Sequence, residues 1–487
     1  MRPLVLDDDR ILPTDPAVRP IARDIYAQVR DLPLVSMHGH VDAAVLEQDE
    51  PFPDPAQLLV VPDHYVTRML VSQGVPLEAL GVRRTDGGPV EGDGRMIWRR
   101  FCEGWHLFRG TPSRLWLEHE LSVVFGVTVA PSAETADDIY DTIAARISEP
   151  GFRPRALFDS FNLEILATTD SPLSTLSSHA ALAASGWQGN VVPTFRPDSL
   201  LQVGRRGWKH DVEQLAEVSR IGTDTYAGFI AALEQRREHF ARMGARATDH
   251  ANLTADTTPL TPAEAERVYA GALAGPVEQR DADAFAAHML FEMARMSRDD
   301  GLVMQLHPGV LRDHDPEIRD RFGSDRGFDI PVPVDFVRGL APMLQAFGRD
   351  PGFRCVLFTV DETVYSRELA PLAGVYPALR LGAPWWFLDT PTAMHRFRDA
   401  VTETAGFYNT SGFVDDTRGF ASIPARHDVS RRVDSGFLAG LVASGQLSLD
   451  EAVETAVDLA VTIPREAYEP RGTSAAVRAT AMAESAR

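Results

Sequence analysis

Leu34-Val35-Ser36-Met37-His38-Gly39-His40 is the stretch on which the reading of this chain turns. An apolar run passes directly into two histidines separated by glycine. Alternate residues on a strand point to one side. Imidazoles at i and i+2 can therefore converge on one ion, and glycine between them leaves room. Imidazole is a common ligand for zinc and similar divalent metals. Two histidines at this spacing also occur at surfaces or as satisfied core residues. The placement at the end of an apolar run favours the metal reading.

The same pattern recurs along the chain. Leu163 to Asp170, Val191 to Asp198, Leu302 to His307, Cys355 to Asp361 and Gly412 to Asp416 are each apolar and end in polar residues. Each suits a buried parallel strand with its polar end at the C-terminal mouth. Helical stretches fall between them. Thr225 to Gly244 puts Tyr226, Phe229, Ile230, Leu233 and Phe240 on one stripe, with Glu, Gln and Arg opposite and Gly244 as the stop. Alternation of this kind predicts an α/β protein with parallel strands. Useful side chains at several strand ends favour a (β/α)8 barrel over an open sheet.

A plain barrel needs about 250 residues, and this chain has 487. The expected division is a barrel over 20–74 and 161–470, a mainly helical insertion over 75–160, and a disordered tail over 471–487. The insertion is marked by Trp98, Phe101, Trp105, Phe108 and Trp116, read as its core. Residues 311 to 334 are charged and contain Gly and Pro, and are expected to form a long active-site loop.

The 48 basic and 69 acidic residues give a formal charge of −21. That opposes nonspecific binding to phosphate backbones and argues against a nucleic-acid function. It leaves an anionic substrate possible, because a pocket can be locally basic. Cys102 and Cys355 cannot staple a chain of this size, and are expected to be reduced thiols in a cytoplasmic protein. Asp7-Asp8-Asp9 interrupts any apolar leader. No apolar run of about 18 residues suggests a membrane span. No convincing dinucleotide fingerprint is present. A homo-oligomer is only the generic expectation.

A metal on His38 and His40 needs further donors. Asp415-Asp416, after the run Gly412-Phe413-Val414, is the best candidate; a carboxylate there can act as both ligand and base, or could instead cap the next helix. Arg418, two residues on, suits a carboxylate or a developing alkoxide. If Asp63 caps a helix, His64, Tyr65 and Arg68 cluster in its first turn and offer an imidazole and a phenol. His307 is a ligand, a substrate contact or a structural histidine. Arg196 could bind an anion or pair with Asp198.

Taken in order, these pieces resemble the uronate isomerases of the amidohydrolase superfamily. The resemblance rests on His38-Gly39-His40 and on Asp63-His64-Tyr65 with Arg68. Thr168-Thr169-Asp170, Pro193 to Pro197 and Met304 to His307 are further similar blocks. So are Gly323 to Asp329, Pro384-Trp385-Trp386-Phe387, Gly412 to Phe420 and Arg426-His427-Asp428 with Arg431-Arg432. It spans roughly residues 20 to 470. The resemblance implies a distorted (β/α)8 barrel of the amidohydrolase type. It also implies one divalent metal, usually zinc, with manganese, nickel or cobalt as alternatives, on His38, His40 and Asp416. No nucleotide cofactor is implied.

The implied reaction interconverts D-glucuronate with D-fructuronate, or D-galacturonate with D-tagaturonate. Tyr65, Asp416 and Arg418 are then the catalytic residues. His64, Arg68, Arg196, His307 and Trp386 are the substrate-binding ones. Departures fall in the loops. Where the family reads Thr-Asp-Ser-Arg-Ser-Phe, this chain has Asp415-Asp416-Thr417-Arg418-Gly419-Phe420. A metal-dependent hydrolase of a sugar-acid-like lactone, amide or ester is the alternative from the same metal centre. A noncatalytic sugar-acid binding protein is the alternative outside enzymes.

Overall fold

Seven short parallel strands surround the centre of the molecule in a computed structural model that describes residues 2–471. The first three are β1 (Leu34–Ser36), β2 (Leu163–Ala167) and β3 (Val191–Val192), paired in that order. β4 (Ala247–His250), β5 (Val303–Leu306), β6 (Cys355–Leu357) and β7 (Leu379–Leu381) form a second parallel sheet. Phe195 bridges Asp170 on one side and Thr248 on the other, and so joins the two sheets. Thr410 bridges Leu381 beyond β7. Two main-chain bonds then tie the eighth segment to the first: Asp416 N–H donates to His38 O at 3.1 Å and His40 N–H to Thr417 O at 2.9 Å. The circuit of eight is complete, and the fold is a distorted (β/α)8 barrel.

The distortion has identifiable causes. Pro193 and Pro197 lack N–H groups, so the run from Val191 to Asp198 forms only two residues of regular strand. Gly412 at φ +72° and Asp416 at φ +43° take the left-handed region, so the eighth segment is not a regular strand. β1, β4, β5 and β6 are buried along their length, as expected for a parallel sheet covered by helices.

The helix Tyr226–Arg242 starts at Thr225, whose hydroxyl accepts from Gly228 N–H, and is followed by Gly244 at φ +90°. Its Phe229, Leu233 and Phe240 are buried as their spacing predicts. Arg236 and Arg237, expected on the outer face, are buried too. Arg236 donates to the carbonyls of Pro172 and Ser174, and Arg237 to Asp300 and Ser297. Carbonyl and carboxylate acceptors supply what water would have supplied.

Between β1 and β2 the chain is helical, with helices at Gly94–Glu103, Pro112–His119, Ala136–Ile147 and Pro154–Ser160. Trp98, Phe101, Trp105 and Phe108 share one apolar cluster with Leu58, Val66 and Leu70. Packing therefore runs across residue 74 without a break. Trp116 departs from the sequence expectation: it packs with Tyr65, Val35 and Val356 in the barrel cluster. Among the described residues no helix is long and apolar enough to cross a membrane. The expected tail lies, apart from Arg471, outside the described residues.

Candidate active site

His38 and His40 follow β1 at the C-terminal mouth of the barrel, their rings edge-to-face with centroids 5.3 Å apart. Gly39 gives the room that this spacing needs. A Cβ there would meet Asp415 Oδ1 at 3.3 Å and Thr417 O at 3.6 Å. Asp416 Oδ1 lies 3.3 Å from His38 Nε2 and 3.0 Å from His40 Nε2. That oxygen is buried and has no hydrogen-bond donor among the described residues. Two imidazoles and a carboxylate offer donor atoms all within 4.8 Å of one another, so these residues can hold a metal ion. An unsatisfied buried carboxylate oxygen facing two ring nitrogens fits that group.

A second triple shares His38. Asp249 and His307 join it, again with donor atoms within 4.8 Å, and all three residues are buried. His307 Nδ1 lies 2.8 Å from Asp249 Oδ1, and the His307 ring stacks between His38 and Phe358. Arg196 reaches Asp249 at 3.4 Å and donates to Asp198 at 3.0 Å.

Electrostatics divide these groups. Burial disfavours a charged His40 and lowers it to about 4, although Asp416 opposes this. His307 falls to about 4 for the same reason, against the pull of Asp249. Burial opposes charge on His38 as well, but Asp416 and Asp249 outweigh it and hold that imidazole above its ordinary value. Asp416 resists protonation: burial would raise it, but the two histidines hold it well below the usual range.

The cavity above this floor is walled by His64, Tyr65, Arg196 and Trp386, and by Asp416, Arg418 and Arg426. Asp63 caps the helix His64–Val71, its carboxylate accepting from Tyr65 N–H at 2.8 Å. This fixes His64 and Tyr65 in the first turn, facing the cavity. His64 stacks on Trp386 with centroids 5.3 Å apart. Burial, with Arg418 nearby, lowers His64 to about 3, so the ring is a neutral donor or acceptor at working pH. Tyr65 hydroxyl donates to Asp389 Oδ2 at 2.8 Å.

The structure thus gathers most of the residues expected from sequence. His38, buried in the floor beside His40, and two others stand apart from the cavity wall. Arg68 lies behind it, 5.2 Å from the Tyr65 ring centroid and 5.3 Å from that of Phe387. His307 lies beneath, against Trp385 and Phe358.

Four site residues were given no site role from sequence, although Asp325 and Arg426 lie in blocks that carry the resemblance. Arg312 and Asp325 enter from the loop after His307. Asp325 pairs closely with Arg418, while Arg312 lies 5.3 Å over Trp386 and pairs with Asp329. Arg426 lies in the first turn of the helix Ile423–Ala443, 3.7 Å over the Trp116 ring, and Asp389 lies under Tyr65. The loop itself was legible as an active-site loop; which of its charges face inward was not.

A family model of glucuronate isomerase matches residues 16–462. The chain belongs to the glucuronate isomerase family. A uronate isomerase of Rhizobium meliloti is 52% identical over 464 residues, covering 95% of this chain and 99% of that protein. One from Rhizorhabdus wittichii is 53% identical over 466 residues, covering 96% and 99%. The crystal structure of glucuronate isomerase from Caulobacter crescentus superposes with a TM-score of 0.94 at 50% identity, covering 96% of this chain and 97% of that one. Uronate isomerase from Thermotoga maritima gives 0.89 at 29% identity, covering 95% and 99%. Membership on this scale makes the chain an isomerase and does not favour the hydrolase reading.

Proposed function

We propose that the chain interconverts hexuronate aldoses and ketoses, D-glucuronate with D-fructuronate or D-galacturonate with D-tagaturonate. The observation that carries this reading is one cavity lined by His40 and Asp416 of the His38–His40–Asp416 donor set, the Tyr65 phenol and the arginines 196, 312 and 418. The donor set suits one divalent ion, with zinc the first expectation and manganese, nickel or cobalt compatible. When bound, such an ion polarises sugar oxygens as a Lewis acid.

The chain's own groups divide the remaining work. Aldose–ketose exchange moves one hydrogen from C2 to C1 and one proton from the C2 hydroxyl to the C1 oxygen. Asp416, held anionic by its two histidines, assists removal of the hydroxyl proton. Tyr65 carries the proton between C2 and C1 through an enediol. Arg418 faces the oxygen that gains charge; a preorganised donor of this kind contributes about 3–4 kcal/mol. Arg196 and Arg312 hold the C6 carboxylate in this reading, with His64 and Trp386 forming the wall against the sugar. Arg68 and His307 act from behind, Arg68 through Tyr65 and His307 through His38 and Asp249.

The test is ketose formation from D-glucuronate and from D-galacturonate, with metal-loaded and chelator-treated protein. Metal-dependent turnover of either sugar is the expected result and identifies the substrate. No turnover of either, with metal demonstrably bound, would sink the reading.

A further inference from the structure

Resting on the reading that Tyr65 moves the proton, we infer that Asp389 is the positioning residue that receives the Tyr65 hydroxyl proton as the phenol oxygen takes one from C2. Tyr65 lines the cavity, yet its single O–H is committed to Asp389 Oδ2 at 2.8 Å. What the phenol presents towards a sugar is therefore a lone pair. An oxygen in that state can take a proton only as its own proton leaves, and the contact through which it leaves is Asp389.

The surroundings of Asp389 suit the exchange. Its side chain is buried, and Oδ1 has no hydrogen-bond partner among the described residues. Arg426 Nη1 donates to the same Oδ2 at 3.2 Å, and the guanidinium lies 5.2 Å from the Tyr65 ring centroid. Arg426 is itself held by Ser422 Oγ at 3.1 Å, Asp415 O at 3.2 Å and the face of Trp116. Its charge balances the carboxylate before transfer and remains when the carboxyl is neutral. Burial raises Asp389 above the ordinary carboxylate range against the opposing Arg426, which brings its acid form within reach. Burial, then Asp389, raises Tyr65 well above the ordinary phenol, so a free phenolate is the costlier route.

The balance closes. The C2–H bond breaks and its electron pair stays on the sugar as the C1–C2 enediol double bond. The proton joins Tyr65 Oη while the Tyr65 O–H proton passes to Asp389 Oδ2. The return delivers one proton to C1 and restores both side chains. No oxidant or reductant takes part. Asp389 touches no sugar atom and acts only through Tyr65.

The test uses the full-length metal-loaded enzyme, with Asp389→Asn, Tyr65→Phe and the double variant, read as kcat, KM and solvent deuterium entering C1. Asp389→Asn should lower kcat and deuterium entry by roughly 10²-fold, with KM within about threefold. On the Tyr65→Phe background it should cost nothing further, because the two groups act as one unit. A loss that multiplies on that background, or kcat unchanged in Asp389→Asn while Tyr65→Phe falls, overturns the role of Asp389 alone. Full turnover in Tyr65→Phe overturns the Tyr65 reading and this inference with it. If Asp389→Asn does not fold, Asp389→Glu decides. It keeps a carboxyl but moves it off the phenol, so kcat should fall at constant KM. Full kcat, or a loss shared by KM, overturns the assignment.

Discussion

The floor and the rim of one cavity are built on different principles. At the floor, the His38, Asp249 and His307 side chains are 2–3% exposed. His38 and His40 are tied by main-chain bonds to the segment carrying Asp416. At the rim, Arg418 and Asp325 are each about one-third exposed and pair with each other, and the equally exposed Arg312 pairs with the buried Asp329; all but Arg418 come from a loop some 25 residues long. A buried donor set cannot exchange partners without leaving an uncompensated polar group, whereas exposed pairs can do so at small cost. The floor therefore fixes the chemistry, and the rim admits and holds the ligand.

The comparison is most easily broken at the floor. His38→Ala should remove stoichiometric metal and several kcal/mol of transition-state stabilisation, roughly 10³-fold or more in kcat/KM. Metal analysis beside kinetics checks this; retained metal with retained rate would mean the floor is not the reacting centre. Next comes Tyr65→Phe, expected to lower kcat by about 10²–10³-fold with metal still bound. Unchanged turnover would remove the phenol from the reaction.

The rim should respond far less. Asp325→Asn frees Arg418 for the anionic sugar and should lower KM by at most about fivefold, an effect that shrinks as salt is added. A KM that rises would mean Asp325 orders the loop more than it competes for Arg418.

The smallest effect on turnover is expected at Glu120, behind the floor. Burial raises its carboxyl to about 7, against a smaller pull from Arg426. The folded value lies above the unfolded one, so the stability it contributes is complete below about pH 4.5 and is lost as pH rises through about 7. Glu120→Gln should flatten that decline, gaining on the native protein in thermal melts between pH 5 and 8. Parallel melting curves would reject the assignment.

Legibility in the sequence follows the same division. His38, His40 and Asp416 stand at the ends of apolar runs, and Asp63 precedes a helix as caps do, so local pattern is enough to find them. Asp389 follows a turn in which Trp386 and Phe387 take φ of 28° and 38°, a bend that nothing in their side chains announces. Arg426 stands in a block that resembles the family, but its sequence assigns it no role until Trp116 and Asp389 are seen against it. Trp116 left the core that its aromatic neighbours share because the neighbour that holds it, Tyr65, is some 50 residues away in sequence. The same long-range packing buried Arg236 and Arg237 where helical periodicity put them outside. Periodicity reports the average environment of a face, and one well-placed acceptor overrides it.

The irregular eighth segment has a mechanical consequence. Where the other neighbours in the ring pair as strands or bridges, the last is sewn to the first by two main-chain bonds, and this seam passes through the donor set: His38 and His40 on one edge, Asp416 on the other. An ion gripped by all three works as a rivet across that joint of the ring. Occupancy should then be felt as stiffness, with slower amide exchange at His40 and Asp416 and a melting temperature that climbs with the logarithm of free ion.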